Sequence, residues 1–152
     1  MTRSCKAYVA GVFEHPTRKA VDKTVAQLHA EVAIAALKDA GLSMADVDGY
    51  FCDGLVPGMG AASMAEYLGL DISHTDCSEA GGASYIVHVG HAMTAIAAGK
   101  CSVALITLAG RPRTESDKAR AVREDTDELP ELGFEAPYAP TITNLYGIAA
   151  RR

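Results

Sequence analysis

Between residues 83 and 98 apolar side chains recur at three- and four-residue steps: Tyr85, Ile86, Val89, Ala92, Met93 and Ile96. That spacing predicts a helix. Its other positions are mostly small, so the reading makes it the most buried helix, packed on nearly every side. Gly99 stands where a left-handed residue ends a helix. Ser102 to Leu108 then runs apolar without a break, as a strand covered on both faces does. Upstream, Ala7–Phe13 reads as a short apolar strand and Thr24–Ala40 as a helix. The stripe of that helix is Val25, Leu28, Val32, Ala35, Ala36 and Leu37, and Gly41 is its stop. Ser43 with Asp46 three residues on predicts a capped turn. Asp48–Cys52 reads as a strand, Ala61–Leu68 as a helix closed by Gly69, and the stretch up to Cys77 as a further strand. Alternation of this kind predicts an α/β fold, with strands 7–13, 48–52, 71–77 and 101–108 in one mostly parallel sheet around the central helix.

The pattern changes after Gly110. Residues 111–131 are crowded with charge, with a helical tendency over 116–124; residues 133–140 are proline-rich and extended; Thr141–Arg152 predicts one more helix. The division expected is a core over 1–110 and a second segment over 111–152. With 152 residues, 49% of them hydrophobic, the chain is long enough for a sizeable core. A net charge of −5, with no basic stripe and no interleaved aromatics, argues against a nucleic-acid partner. Cys5, Cys52, Cys77 and Cys101 show no Cys-x-x-Cys spacing, and the amino terminus lacks a secretory h-region. They are expected to be reduced thiols of a cytoplasmic protein. No run of about 18 apolar residues predicts a membrane span.

The densest candidate chemistry lies at Gly81-Gly82-Ala83-Ser84, a glycine turn into the central helix. Glycines let backbone N–H groups approach a ligand, and a helix amino terminus favours negative charge, so the turn suits a polarised thioester carbonyl. The alternative is a turn that needs glycine for steric reasons only. Ser84 is either a hydrogen-bond donor to the ligand, a nucleophile, or a residue that caps the helix; no base lies near it in sequence. Cys77 is a second candidate nucleophile, set against a reading as an inert thiol, and Cys101 reads as structural. His88 and His91 share a helix face, but no further ligand completes a metal site, so none is expected. Gly58-Met59-Gly60-Ala61-Ala62-Ser63 approximates a dinucleotide fingerprint and also reads as an ordinary loop.

Gly81-Gly82-Ala83-Ser84, the fifteen-residue interval to Gly99 and the apolar strand beyond resemble the nucleophile helix of the thiolase superfamily. The likeness is to the branch of sterol-carrier-protein thiolases and lipid-transfer-protein aldolases. The stretch Phe134-Glu135-Ala136-Pro137-Tyr138-Ala139-Pro140-Thr141, with Asn144-Leu145-Tyr146 and Ala149-Ala150-Arg151-Arg152, looks like the start of that branch's loop domain. The resemblance implies the amino-terminal half of a thiolase fold, with the half that carries the family's acid and base having no counterpart in residues 1–152. It implies catalytic positions at Gly82, Ser84 and Cys77 and substrate contacts at Gly81, Ala83 and Tyr138. The substrate implied is a coenzyme A thioester in lipid or sterol metabolism, with no bound cofactor. The partners implied are further copies of the chain, a carboxyl-terminal half, or a small OB-fold protein. Ordinary thiolases carry Cys-Ala-Ser-Gly at the turn; counted back from Gly99, their cysteine falls on Gly82. Retro-aldol chemistry thereby gains on acyl transfer of the acetyl-CoA acetyltransferase kind. A non-catalytic acyl-CoA-binding or assembly subunit is the alternative from another class, and a nucleotide-binding enzyme is a third.

Overall fold

A computed structural model describes residues 6–53, 56–111, 113 and 142–151, with side chains of the last segment from Tyr146 onward. The chain divides into two compact units, residues 1–114 and 115–152. In the first, the order is α1 (Val25–Ala40), a 3-10 turn (Met44–Asp46), β1 (Gly49–Phe51), α2 (Ala61–Leu68), β2 (His74–Asp76), α3 (Ser84–Ala97) and β3 (Ala104–Ile106). In the second, α4 spans Ile142–Ala150, within the helix expected there.

The helices start and stop where capping chemistry puts them. The Thr24 hydroxyl accepts from the Gln27 N–H while the Gln27 side chain accepts from the Thr24 N–H, a complete capping box. Gly41 and Gly69 adopt the left-handed conformation that closes α1 and α2. The Asp46 carboxylate accepts from both the N–H and the hydroxyl of Ser43, at 2.8 and 2.7 Å, which forms the predicted capped turn.

The sheet has three parallel strands in the order β2-β1-β3, with Gly49 opposite both His74 and Ala104. Alternate side chains of a strand face opposite ways, and the core divides accordingly. Tyr50, Cys52 and Leu105 pack with Ala33, Leu37, Val47, Met64 and Ala65 of the α1–α2 layer. Phe51 packs the other way with Ala92, Ala95 and Cys101 of the α3 layer. The result is a three-layer α/β/α unit, the predicted α/β class with a parallel sheet.

Three expectations need correction. Residues 7–13 form no strand: the segment is extended but pairs with nothing in the sheet. It lies on α1 instead. A Cβ at Gly11 would stand 2.4 Å from the Ala36 carbonyl oxygen, and the Val12 N–H donates to the Asp39 carboxylate. Second, α3 is not buried all round. Its buried residues are Ser84, His88, Ala92 and Ala95, while Ile86 is 77% and Met93 51% exposed. On that inner face Ala92 and Ala95 let the helix lie close to Phe51 and Cys101. Third, α1 buries Leu28, His29, Ala33 and Leu37, a face rotated from the predicted stripe.

At the amino ends of the strands one carboxylate gathers the loops. Asp48 accepts from the N–H groups of Ser102 and Val103 at 2.7–2.8 Å. Burial works against its charge, but these backbone donors outweigh it and hold its carboxyl below the usual range. Ser73 adds a hydroxyl bond to the Lys100 carbonyl at 2.7 Å.

Candidate functional site

Parallel strands end on one side of a sheet, and open α/β sheets place ligands there. Beyond β1 come Cys52 and Asp53; beyond β2 come Cys77, Ser78 and Glu79, and then the glycine turn into α3. Cys77, Gly81, Gly82, Ala83 and Ser84 therefore share one connection at the carboxyl end of the sheet. Tyr138 lies outside the described residues.

The turn is built mainly from its own groups. Gly81 adopts φ +58°, a conformation open to glycine at little cost. Its N–H donates to the Glu79 carboxylate at 2.7 Å. The Ala83 and Ser84 N–H groups donate to the carbonyls of Ala80 and Gly81. The Ser84 hydroxyl, fully buried, donates to the Gly81 carbonyl at 2.7 Å and accepts from the Ala80 N–H at 2.9 Å. Glu79 thus supplies the negative charge that the amino end of α3 favours. Gly82 is exposed, and a Cβ built on it would meet nothing within 4 Å. The slot is open toward solvent and carries no reactive atom.

Cys77 is exposed and its thiol donates to the Asp53 carbonyl at 3.2 Å. It lies under the preceding loop: a Cβ at Gly60 would fall 2.8 Å from its sulfur. Cys52, one step past the Phe51–Asp76 pair, is buried. Burial, and then the neighbouring Cys77, push the Cys52 thiol up to about 12, so it stays neutral. The near-fingerprint is absorbed into local structure, since the Ser63 hydroxyl accepts from the Met59 N–H at 2.9 Å just before α2.

Sequence reasoning missed Asp53, Glu79 and Tyr85. The Tyr85 hydroxyl donates to the Asp53 carboxylate. Burial first, then this carboxylate, push the phenol well above its ordinary value, so it remains a donor. The available signal was position: polar residues just past predicted strand ends or in the first turn of the following helix.

His88 and His91 do different work. The His88 ring is fully buried, its Nε2–H donates to the Ser78 carbonyl at 3.0 Å, and its Nδ1 has no hydrogen-bond partner. His91 donates from Nδ1 to the Asp76 carboxylate. Burial opposes the Asp76 charge, but bonds from Ser78 and His91 prevail and lower its pKa. Deeper in the core, His29 Nδ1 and the Tyr50 hydroxyl both bond the Thr107 hydroxyl, at 2.8 and 2.7 Å. Burial lowers the His29 pKa, against a weaker pull from Asp53, and so favours the neutral ring. Among the described residues no three His, Cys, Asp or Glu side chains are grouped to hold a metal, and no helix is long and apolar enough to cross a membrane.

No family model and no curated protein matches the sequence. A solved structure does: a chain titled "Ltp2-ChsH2(DUF35) aldolase", 22% identical, with a TM-score of 0.69 over 85% of this chain. At that identity the likeness establishes the fold. The match spans 32% of the neighbour's length, so this chain corresponds to about a third of it.

Proposed function

We propose that this chain is the amino-terminal portion of a thiolase-like enzyme that cleaves or forms a carbon–carbon bond beside a coenzyme A thioester by aldol chemistry, without an acyl-enzyme. One observation carries the choice against acyl transfer. The slot expected for a nucleophilic cysteine is Gly82, open and without a reactive atom, and the adjacent Ser84 hydroxyl is buried and spent inside the turn. The structural neighbour, an aldolase by its title, supports the same direction.

In the cleavage direction a base removes the proton of a β-hydroxyl and the Cα–Cβ bond breaks. A ketone or aldehyde leaves, and the thioester enolate is reprotonated at carbon. This chain offers groups for the oxygen atoms of that sequence. The Tyr85 phenol, whose one O–H is given to Asp53, becomes a donor for developing negative charge if the substrate oxygen displaces that carboxylate. The Gly81 N–H becomes a second donor if the thioester oxygen displaces Glu79. Base catalysis, worth roughly 10²–10⁴ in rate, falls to residues outside 1–152.

The test is exposure to a reactive β-ketoacyl-CoA and a β-hydroxyacyl-CoA, followed by peptide mass spectrometry and product assay. No acyl group is expected on residues 77–84 and no turnover by residues 1–152 alone. Cleavage of the β-hydroxy substrate is expected once the remaining polypeptide is co-expressed. Stoichiometric acylation of Ser84 or Cys77 would replace the aldol reading with acyl transfer.

A further inference from the structure

The parallel ladder of β1 and β2 sets Tyr50 opposite Thr75 and Phe51 opposite Asp76. One step further, the Cys52 N–H donates to the Asp76 carbonyl at 3.2 Å. In a parallel pair that bond places Cys52 opposite Cys77. Side chains two positions apart on a strand share a face, so both cysteines project from the face of Tyr50 and Thr75. Cys52 packs with Tyr50 in the core of the α1–α2 layer. Cys77 lies on the same side, under Gly60 at the start of α2, where a Cβ would stand 2.8 Å from its sulfur.

The spacing suits a covalent link. Neighbouring strands lie about 4.7–4.9 Å apart, and the two Cα atoms of a disulfide usually lie about 4.4–6.8 Å apart. The Cys77 sulfur already reaches across to the continuation of β1, since it donates to the Asp53 carbonyl, one residue past Cys52, at 3.2 Å. Cys52 responds to it: after burial, the charge and the hydrogen bond of Cys77 are the next causes that push its thiol up. The two thiols differ in access. Cys77 is exposed and Cys52 is fully enclosed. An accessible thiol beside a second one that can resolve it is the arrangement of a redox-responsive pair. Cys101 is buried on the opposite face, with Phe51, Ala92 and Ala95.

We propose that Cys52 and Cys77 are a site of reversible oxidation and form a disulfide when the protein meets a peroxide. The Cys77 sulfur attacks one peroxide oxygen and the O–O bond breaks. The other oxygen leaves as water with the thiol proton, and Cys77 becomes a sulfenic acid. The Cys52 sulfur then attacks the sulfenic sulfur, the S–O bond breaks, and a second water leaves with the Cys52 proton. The two thiols give up two electrons and the peroxide takes both. A dithiol reductant reverses the change. The order follows from access, because Cys52 stays protonated and enclosed until Cys77 has reacted. The link takes Cys77 from the Asp53 carbonyl and ties the start of the connection into α3 to the central strand. The inference rests on strand register and is independent of the aldol reading.

The test uses the whole chain with Cys5→Ser, which leaves Cys52, Cys77 and Cys101. In the unfolded chain Cys77 is almost equally far from the other two, so loop closure alone favours neither partner. The folded protein is treated with hydrogen peroxide, alkylated in guanidinium chloride and digested without reduction. Mass spectrometry should show the peptides of Cys52 and Cys77 joined within one chain, and Cys101 alkylated. The Cys52–Cys77 link should exceed Cys77–Cys101 by at least about tenfold, because fixed neighbours meet at a higher effective concentration than the ends of a flexible loop. That preference should vanish when peroxide is added in guanidinium chloride, and dithiothreitol should restore both thiols. In Cys52→Ser, Cys77 should run on to the sulfinic acid. Equal yields of the two links from the folded chain, a sulfinic Cys77 beside a free Cys52, a link between two chains through Cys77, or no oxidation at all would overturn the proposal.

Discussion

The two faces of the sheet are finished to different degrees. On the α1–α2 side Tyr50, Cys52, Val47 and Met64 are sealed, and the polar groups among them pair with one another through Thr107. On the α3 side the sealed set is small, Phe51 with two alanines and Cys101, while Ile86, Val89, Met93 and Leu108 meet water. The difference teaches that one layer is stabilised by residues the chain already holds. The other layer leaves more of its apolar surface in water among the described residues. An apolar residue contributes through the area it loses to water, so equal side chains on the two faces carry unequal energy.

Two methionines put that difference to the sharpest test. Met64→Ala removes a side chain only 1% exposed and should cost about 2–5 kcal/mol in urea unfolding. Met93→Ala, at 51% exposure, should stay within about 0.5 kcal/mol. Similar costs at the two positions would abolish the comparison.

Asp48 ties the amino ends of β1 and β3, and Asp48→Ala should cost roughly 1–2 kcal/mol at neutral pH, discounted for partial exposure. Its folded carboxyl titrates below the unfolded value, so this stability is present above about pH 4 and fades as pH falls through the folded pKa. Unfolding curves of the parent and the variant should draw together in acid. A difference that persisted there would show that the side chain acts by packing and not by charge.

Tyr50→Phe removes one arm of the bond network on the sealed face and should cost about 1 kcal/mol, because the Thr107 hydroxyl keeps its bond to His29. The smallest effect is expected at Ile86. Ile86→Glu, at a position 77% exposed, should leave unfolding within about 0.5 kcal/mol.

What the sequence made legible follows the reach of local physics. The stops at Gly41 and Gly69 depend on a few neighbouring residues and stand where sequence reading put them, while Thr24, read as the first helical residue, is the cap. Strands β1, β2 and β3 lie inside the predicted stretches, though each is shorter. Ala7–Phe13 shows the limit: its apolar pattern gives an extended backbone, but a strand needs a partner edge, and periodicity does not report whether one is present. In α3 periodicity marked Tyr85, Ile86, Val89, Ala92, Met93 and Ile96, whereas packing among the described residues buries Ser84, His88, Ala92 and Ala95. At the candidate site the glycine turn was visible because glycine pairs are rare and local. Asp53 and Tyr85 were not, because 32 residues separate the two partners of their hydrogen bond.

The strand order carries a consequence for synthesis. β1 lies in the middle of the sheet, yet it is made before both of its neighbours. At roughly 5–20 residues per second, β2 follows some 1–5 s after β1 and β3 about 3–11 s after it. For those seconds Gly49–Phe51 leaves the ribosome as a bare hydrophobic ribbon with two open edges, long before either is closed. The nascent chain's hour of greatest risk therefore comes during translation, and a slow stretch of codons between β1 and β3 would lengthen it.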